Sequence, residues 1–170
     1  MTMSITLSAL LVVAIVTVET FAYVNDWDQP FDFRCPSGQA ISYISSIHSN
    51  RHEDRRWEFL CRSVGATHSC EDSGYVNDFD QALAYTCPGD KVMTGVASYH
   101  NNRHEDRRFR FQCCNISGKT PRNCYVTGDV NTWDGKLTLN VAEGSVVNGA
   151  FSHHNNRRED RLWRHSICSI

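Results

Sequence analysis

Apolar and polar positions along the chain fall into two regimes. From Ile5 to Val18 apolar residues run almost unbroken, interrupted only by small hydroxyl residues. After Tyr23 they come in short stretches separated by turn-forming clusters. Phe31-Asp32-Phe33, Leu83-Ala84-Tyr85, Leu137-Thr138-Leu139 and Trp57-Glu58-Phe59 read as period-two strands. Ile41 to Ile47, Val92 to Tyr99 and Val146 to Phe151 are longer β-rich stretches. Pro-Ser-Gly after Cys35 and Pro-Gly-Asp after Cys87 mark turns. Outside the first run no segment sustains a helical period, so the pattern predicts an all-β chain.

The first run is shorter than the roughly 20 residues that span a bilayer. Thr20-Phe21-Ala22 follows it with small residues at the −3 and −1 positions of a cleavage site. Residues 1–22 therefore read as a signal peptide, and residues 23–170 as one secreted domain with no membrane insertion.

That domain repeats. Tyr23-Val24-Asn25-Asp26-Trp27-Asp28 returns as Tyr75-Val76-Asn77-Asp78-Phe79-Asp80 and, more loosely, as Val130-Asn131-Thr132-Trp133-Asp134. His52-Glu53-Asp54-Arg55-Arg56-Trp57 returns as His104-Glu105-Asp106-Arg107-Arg108-Phe109 and as Arg158-Glu159-Asp160-Arg161-Leu162-Trp163. The three copies span about 23–62, 75–114 and 129–168. Three small units without cores of their own must share one. The expected fold is a pseudo-threefold, β-prism-like assembly of three four-stranded sheets, with a β-trefoil as the alternative.

The repeat also orders the eight cysteines. Cys35 to Cys61 and Cys87 to Cys113 are equivalent pairs 26 residues apart, and copy three has Val141 and Ile167 there instead. Cys70 to Cys114 and Cys124 to Cys168 are equivalent pairs 44 apart. These four bridges are predicted, with exchange between the adjacent Cys113 and Cys114 left open. Each is worth roughly 2–4 kcal/mol, and eight paired cysteines suit an oxidising compartment. Asn115-Ile116-Ser117 is a glycosylation sequon in a stretch of turn-like composition.

Charge adds little. The net charge is −2, and removal of Glu19 with the leader brings the mature chain to 17 bases against 18 acids. Neither nucleic acid nor an anionic membrane is implied. Histidines four apart (His48 and His52, His100 and His104) lack a helix to bring them together, so no metal or cofactor is expected. Enzyme signatures are missing too: Gly144-Ser145 lacks the rest of a nucleophile elbow, and Glu53 and Asp54 are neighbours that diverge in a strand. Asp26 and Asp28 sit in too short a loop for calcium.

The repeated segment before each aromatic carries the remaining chemistry. In an extended chain Glu53, Arg55 and Trp57 share one face, opposite Asp54 and Arg56. Such residues can hydrogen-bond sugar hydroxyls and stack on a pyranose. The candidate ligand contacts are Asn50, Arg51, His52, Glu53 and Arg55, then Asn102, Arg103, His104, Glu105 and Arg107, then Asn156, Arg157, Glu159 and Arg161. Asp54, Trp57, Asp106, Phe109, Asp160 and Trp163 are expected to hold the fold. Repetition alone does not separate a binding loop from a structural latch.

Asp-Arg-Arg-Trp-Glu-Phe, Asp-Arg-Arg-Phe-Arg-Phe and Asp-Arg-Leu-Trp-Arg-His resemble the Asp-Arg-x-Trp-x-aromatic motif of the dermatopontin family. The resemblance spans Tyr23 to Cys168 and looks closest to members that agglutinate cells. It implies a secreted, non-enzymatic carbohydrate-binding agglutinin acting on cell-surface glycans in adhesion or defence. The alternative it implies is an extracellular-matrix protein that binds proteoglycan glycosaminoglycan or collagen; oligomerisation stays open. Phe109, Leu162 and His165 depart from the motif, which makes copy three the weakest sugar candidate. The Tyr-rich acidic extension of vertebrate members is absent from the N-terminal part of this chain.

Overall fold

The computed structural model describes residues 22–170, so the expected leader lies outside the described residues except for Ala22. Each copy supplies a hairpin of long strands: β2 (Gln39–Ser49) with β3 (Asp54–Ser63), β6 (Val92–Asn101) with β7 (Asp106–Ile116), and β10 (Ser145–Asn155) with β11 (Asp160–Ser169). A short strand precedes each hairpin: β1 (Phe31–Arg34), β5 (Leu83–Thr86) and β9 (Leu137–Asn140). Two further strands, β4 (Thr67–Tyr75) and β8 (Arg122–Val126), lie between copies. No helix occurs among the described residues, and the chain is all-β.

The short strands do not stay with their own hairpins. β1 of copy one pairs with β6 of copy two, β5 of copy two with β10 of copy three, and β9 of copy three with β2 of copy one. Every sheet is thus completed by another copy. A single copy could not bury its apolar face, because Leu137 and Leu139 of β9 are covered only in the sheet of copy one. The exchange closes into a ring of three sheets, and one core cluster draws on all three. The sheets remain separate, so no trefoil barrel forms among the described residues.

Among the described residues two sheets have four strands, β1-β6-β7-β4 and β5-β10-β11-β8, but the third has three, β3-β2-β9. The expectation of three four-stranded sheets is corrected here. The outer strands β4 and β8 are stapled to their sheets by Cys70–Cys114 and Cys124–Cys168. On β3 the equivalent position is Arg62, so the copy without a described fourth strand also lacks the cysteine for it. Cys35–Cys61 and Cys87–Cys113 instead tie one sheet to the next. At the third such corner the uncharged pair Val141 and Ile167 is buried in the shared core. No cysteine is free among the described residues. The sequon lies differently from expectation: β7 runs through Asn115 and Ile116, and the turn begins only after them.

At the centre Trp57, Phe109 and Trp163 meet edge to face. Their ring centroids lie 5.7, 5.3 and 4.9 Å apart, at interplanar angles of 76°, 82° and 80°. Such T-shaped contacts set a positive ring edge against a negative ring face and add about 0.5–1.5 kcal/mol each to area burial. The repeated aromatic is the axis of the molecule.

Candidate functional site

Just above the aromatic axis the Asp-Arg pairs of the three copies interlock. Arg107 donates through Nε to Asp54 Oδ1 at 2.5 Å and through Nη2 to Oδ2 at 2.8 Å. Arg161 grips Asp106 in the same way at 2.7 and 2.6 Å, and Arg55 grips Asp160 at 2.6 and 2.8 Å. Each guanidinium also donates to a backbone carbonyl, of Gln29, Gln81 or Gly135. Each carboxylate also accepts the backbone N–H of Asp28, Asp80 or Asp134. All six side chains are buried, so the ring pairs charges that would otherwise be costly to desolvate. Burial alone would raise the Asp54 carboxyl, but the neighbouring His100, the Arg107 guanidinium and the Asp28 N–H together outweigh it and hold it far below the usual carboxylate range.

This corrects the expected alternation of faces. Glu53, Glu105 and Glu159 adopt left-handed backbone angles, φ of 47°, 44° and 45°. That kink lets both Asp54 and Arg55 turn inward as β3 begins, where a plain extended chain would send them to opposite sides. Arg55, Arg107 and Arg161, expected among the loop contacts, lie in the interior instead, each 4% exposed. Asp54, Asp106, Asp160, Trp57, Phe109 and Trp163 sit with them on the axis.

The remaining candidates occupy the three hairpin tips, which converge at one end of the molecule. Glu53, Glu105 and Glu159 line a single axial cavity of about 20 Å³, room for about one water. Burial and then repulsion from Glu53 push the Glu159 carboxyl up to about 6. The side chains of His48, His100 and His154 lie buried beneath. His100 places Nδ1 3.4 Å from Asp54 and Nε2 3.2 Å from Glu105. Burial works to lower the His100 pKa, but the Asp54 and Glu105 carboxylates beside it together outweigh burial and raise it, while burial lowers that of His48.

Asp28, Asp54 and His100 come close enough to share a cation, as do Asp80, Asp106 and His154. Asp54 and Asp106, however, already spend both oxygens on guanidinium groups. A cation there would compete with a fixed positive charge, so the clusters fit an ion-pair network better than a metal centre. His48 and His52 part company, as the lack of a helix implied. His48 faces Asp160, and His52 stacks on Trp27.

Asn50, Arg51, Asn102, Arg103, Asn156 and Arg157 are exposed at the tips, with His52, Glu53, His104, Glu105 and Glu159 half-buried beside them. Between the tips of copies one and three lies a polar cleft of about 620 Å³, lined by Asn50, Glu53, Asp134, Asn155, Arg157 and Arg158. It brings together three expected contacts from two copies, with carboxylates, amides and guanidinium groups facing one space.

Sequence reading missed two parts of this end. The first is the buried histidine row. Its signal was the repeated Ser-x-His-x-Asn spacing, blurred in copy three by His153-His154. The second is the opening segment. Trp27 is half-buried on the outer face, where it stacks on His52. Asn25 donates to the Arg55 carbonyl and accepts the Trp57 N–H, standing in for a strand partner.

The model of the dermatopontin family matches residues 25–170. The chain belongs to the dermatopontin family. Among relatives, the dermatopontin of Biomphalaria glabrata is 48% identical over 147 residues, covering 86% of this chain and 99% of the relative. The hemagglutinin/amebocyte aggregation factor of Limulus polyphemus is 44% identical over 167 residues, covering 96% and 97%. Human dermatopontin is 26% identical over 157 residues, covering 87% and 77%. No solved structure matches the chain significantly. Among the described residues of this dermatopontin-family chain, no helix is long and apolar enough to cross a membrane.

Proposed function

We propose that this protein is a secreted, non-enzymatic agglutinin whose hairpin tips bind glycans on cell surfaces. The observation that carries the reading is the polar cleft between the tips of copies one and three. Its amides, carboxylates and guanidinium groups match the mixed donors and acceptors of sugar hydroxyls. The Limulus relative's name, which joins hemagglutination to cell aggregation, supports it. Because the three tips share one end, weak sites can engage one glycan-bearing surface together, and linked sites gain roughly 10²–10⁴ in avidity.

A second reading rests on the arginines exposed at every tip, Arg51, Arg103 and Arg157. They suit a sulfated glycosaminoglycan of the extracellular matrix. A glycan array of the secreted chain, run with and without chelator and over a salt series, decides between them. Neutral-sugar binding that survives moderate salt and weakens in Asn50→Ala and Arg157→Ala supports the agglutinin. Binding confined to sulfated chains and lost at moderate salt replaces it with the matrix reading.

A further inference from the structure

The outer faces of the three copies carry a second set of aromatic residues, and they are not alike. In copy one the Arg56 guanidinium lies 4.4 Å from the Tyr23 ring centroid and 5.7 Å from that of Trp27. His52 stacks against Trp27 at 5.3 Å and 3°. Copy two repeats the arrangement. Arg108 covers Tyr75 at 5.2 Å and Phe79 at 5.9 Å, and His104 stacks on Phe79 at 4.8 Å and 4°. The aromatic of each opening segment is therefore sandwiched between a guanidinium and an imidazole.

Copy three has the aromatic, Trp133, and neither cover. Leu162 stands in place of the arginine, Asp129 in place of the tyrosine, and Arg158 in place of the stacking histidine. Arg158 pairs with Asp134 at 2.9 Å, as His104 pairs with Asp80, and Asp129 pairs with Arg164 at 2.6 Å. Trp133 keeps an edge contact with His153, at 82°. The arginine's loss has another effect. Arg56 and Arg108 donate through Nε to the carbonyls of Asn25 and Asn77, whereas Leu162 has no donor to give Asn131. Where the stack would lie, copy three has an open groove of about 520 Å³. It is lined by Val130, Asn131, Trp133 and Leu162, with Asp129, Thr132 and Lys136 at its rim. That volume lies within the range of about 300–1,000 Å³ usual for small-molecule sites.

We propose that this groove is a sugar subsite in which a pyranose ring stacks its C–H face on Trp133. The inference rests on the glycan-binding reading and adds a place whose lining shares no residue with the tip cleft. The uncovered indole supplies the apolar platform and Leu162 the floor. The Asn131 carbonyl accepts a sugar hydroxyl, while Lys136 and Thr132 donate to ring substituents. Lys136 forms no ion pair among the described residues, so it is available to a neutral sugar or to a uronic acid. Copy three, whose altered motif pointed to the weakest sugar site, is the copy with the cleared platform.

The test is an NMR titration of the secreted chain with methyl glycosides of glucose, galactose, mannose and glucuronic acid, following the indole N–H signals of the four tryptophans. At least one glycoside is expected to shift the Trp133 signal saturably; the neutral and acidic sugars show which substituent is read. Trp133→Ala should weaken binding by about tenfold, the upper range for one aromatic contact. Leu162→Arg, which rebuilds the cover used by copies one and two, should abolish the shift without lowering thermal stability. A response that survives Leu162→Arg overturns the subsite. Glycan-array binding that weakens in Asn50→Ala and Arg157→Ala, with the Trp133 signal silent, refutes the subsite and leaves the tip reading standing. No shift from any glycoside, together with an empty glycan array, refutes both.

Discussion

At the axis the three copies are interchangeable, whereas on the outer faces they have drifted apart. Every copy contributes the same Asp-Arg clamp and a central aromatic, and each clamp closes on a different copy. The outer stacks have no such reciprocity. Arg56 serves only the aromatic residues of its own copy, and Leu162 can replace its counterpart without disturbing the others. A residue that bonds across the pseudo-threefold axis is constrained by two copies at once. One that bonds within its own copy is free to change alone, and single-copy binding features can arise there.

The sharpest break in this comparison is made at the axis. Asp106→Ala should destabilise by about 3–5 kcal/mol, because it leaves the buried Arg161 guanidinium without its carboxylate. The matched outer change, Asp78→Ala, removes a partner 3.1 Å from Arg108 whose side chain is 79% exposed; its cost should stay within about 1 kcal/mol. Denaturant unfolding of both variants with disulfides intact measures the ratio. Equal losses would mean that the ring is not what holds the copies together.

A second test lies where copy three departs from the others inside the core. His165 replaces the phenylalanine of the other copies and stacks on Trp163 as Phe59 stacks on Trp57. Complete burial pushes its pKa down to about 4, from an ordinary value of 6.5. As pH falls, the unfolded chain takes up this proton first and the native chain only near 4. The stability present above 6.5 is therefore drained between about 6.5 and 4, by an amount on the order of 3 kcal/mol. Glu159 acts in the opposite sense. Its raised pKa, about 6 against 4.5, contributes stability below 4.5 that is lost as pH rises through 6. The two overlap in wild type, so His165→Phe separates them by flattening the acid limb while leaving the Glu159 contribution. Unfolding midpoints from pH 4 to 7 check this, and parallel curves for the two proteins would exclude it.

The sequence carried the parts of this fold that repeat with an apolar pattern. Phe31, Leu83 and Leu137 begin the observed short strands, and the paired loss of Cys35 and Cys61 equivalents at Val141 and Ile167 marked a real corner of the core. β4 and β8 were not legible, because their residues are almost all exposed and give no apolar–polar alternation. Nor was the exchange of short strands between copies, since pairing with a neighbour's hairpin buries the same leucines as pairing with one's own. At the candidate site the exposed loop Asn50 to Glu53 could be found from its polarity. The inward turn of Arg55 could not, because it depends on a left-handed glutamate, a backbone state that composition does not favour.

The smallest expected effect tests the outer faces from the other direction. Arg56→Leu gives copy one the leucine that copy three carries at Leu162. It removes a cation–π contact worth about 0.5–1 kcal/mol at an exposed site. The 3.6 Å pair with Asp26, whose side chain is 80% exposed, should add almost nothing. The melting temperature should fall by only about 2–4 °C, the shift that 1 kcal/mol produces in a chain of this size. One face of Trp27 would then be clear, with His52 still on the other. Its indole signal should begin to respond to the glycoside that shifts Trp133, more weakly because Tyr23 remains where copy three has Asp129. A loss of several kcal/mol would instead show that the outer stack carries the fold as the axis does, and the division between a constrained centre and a permissive surface would collapse.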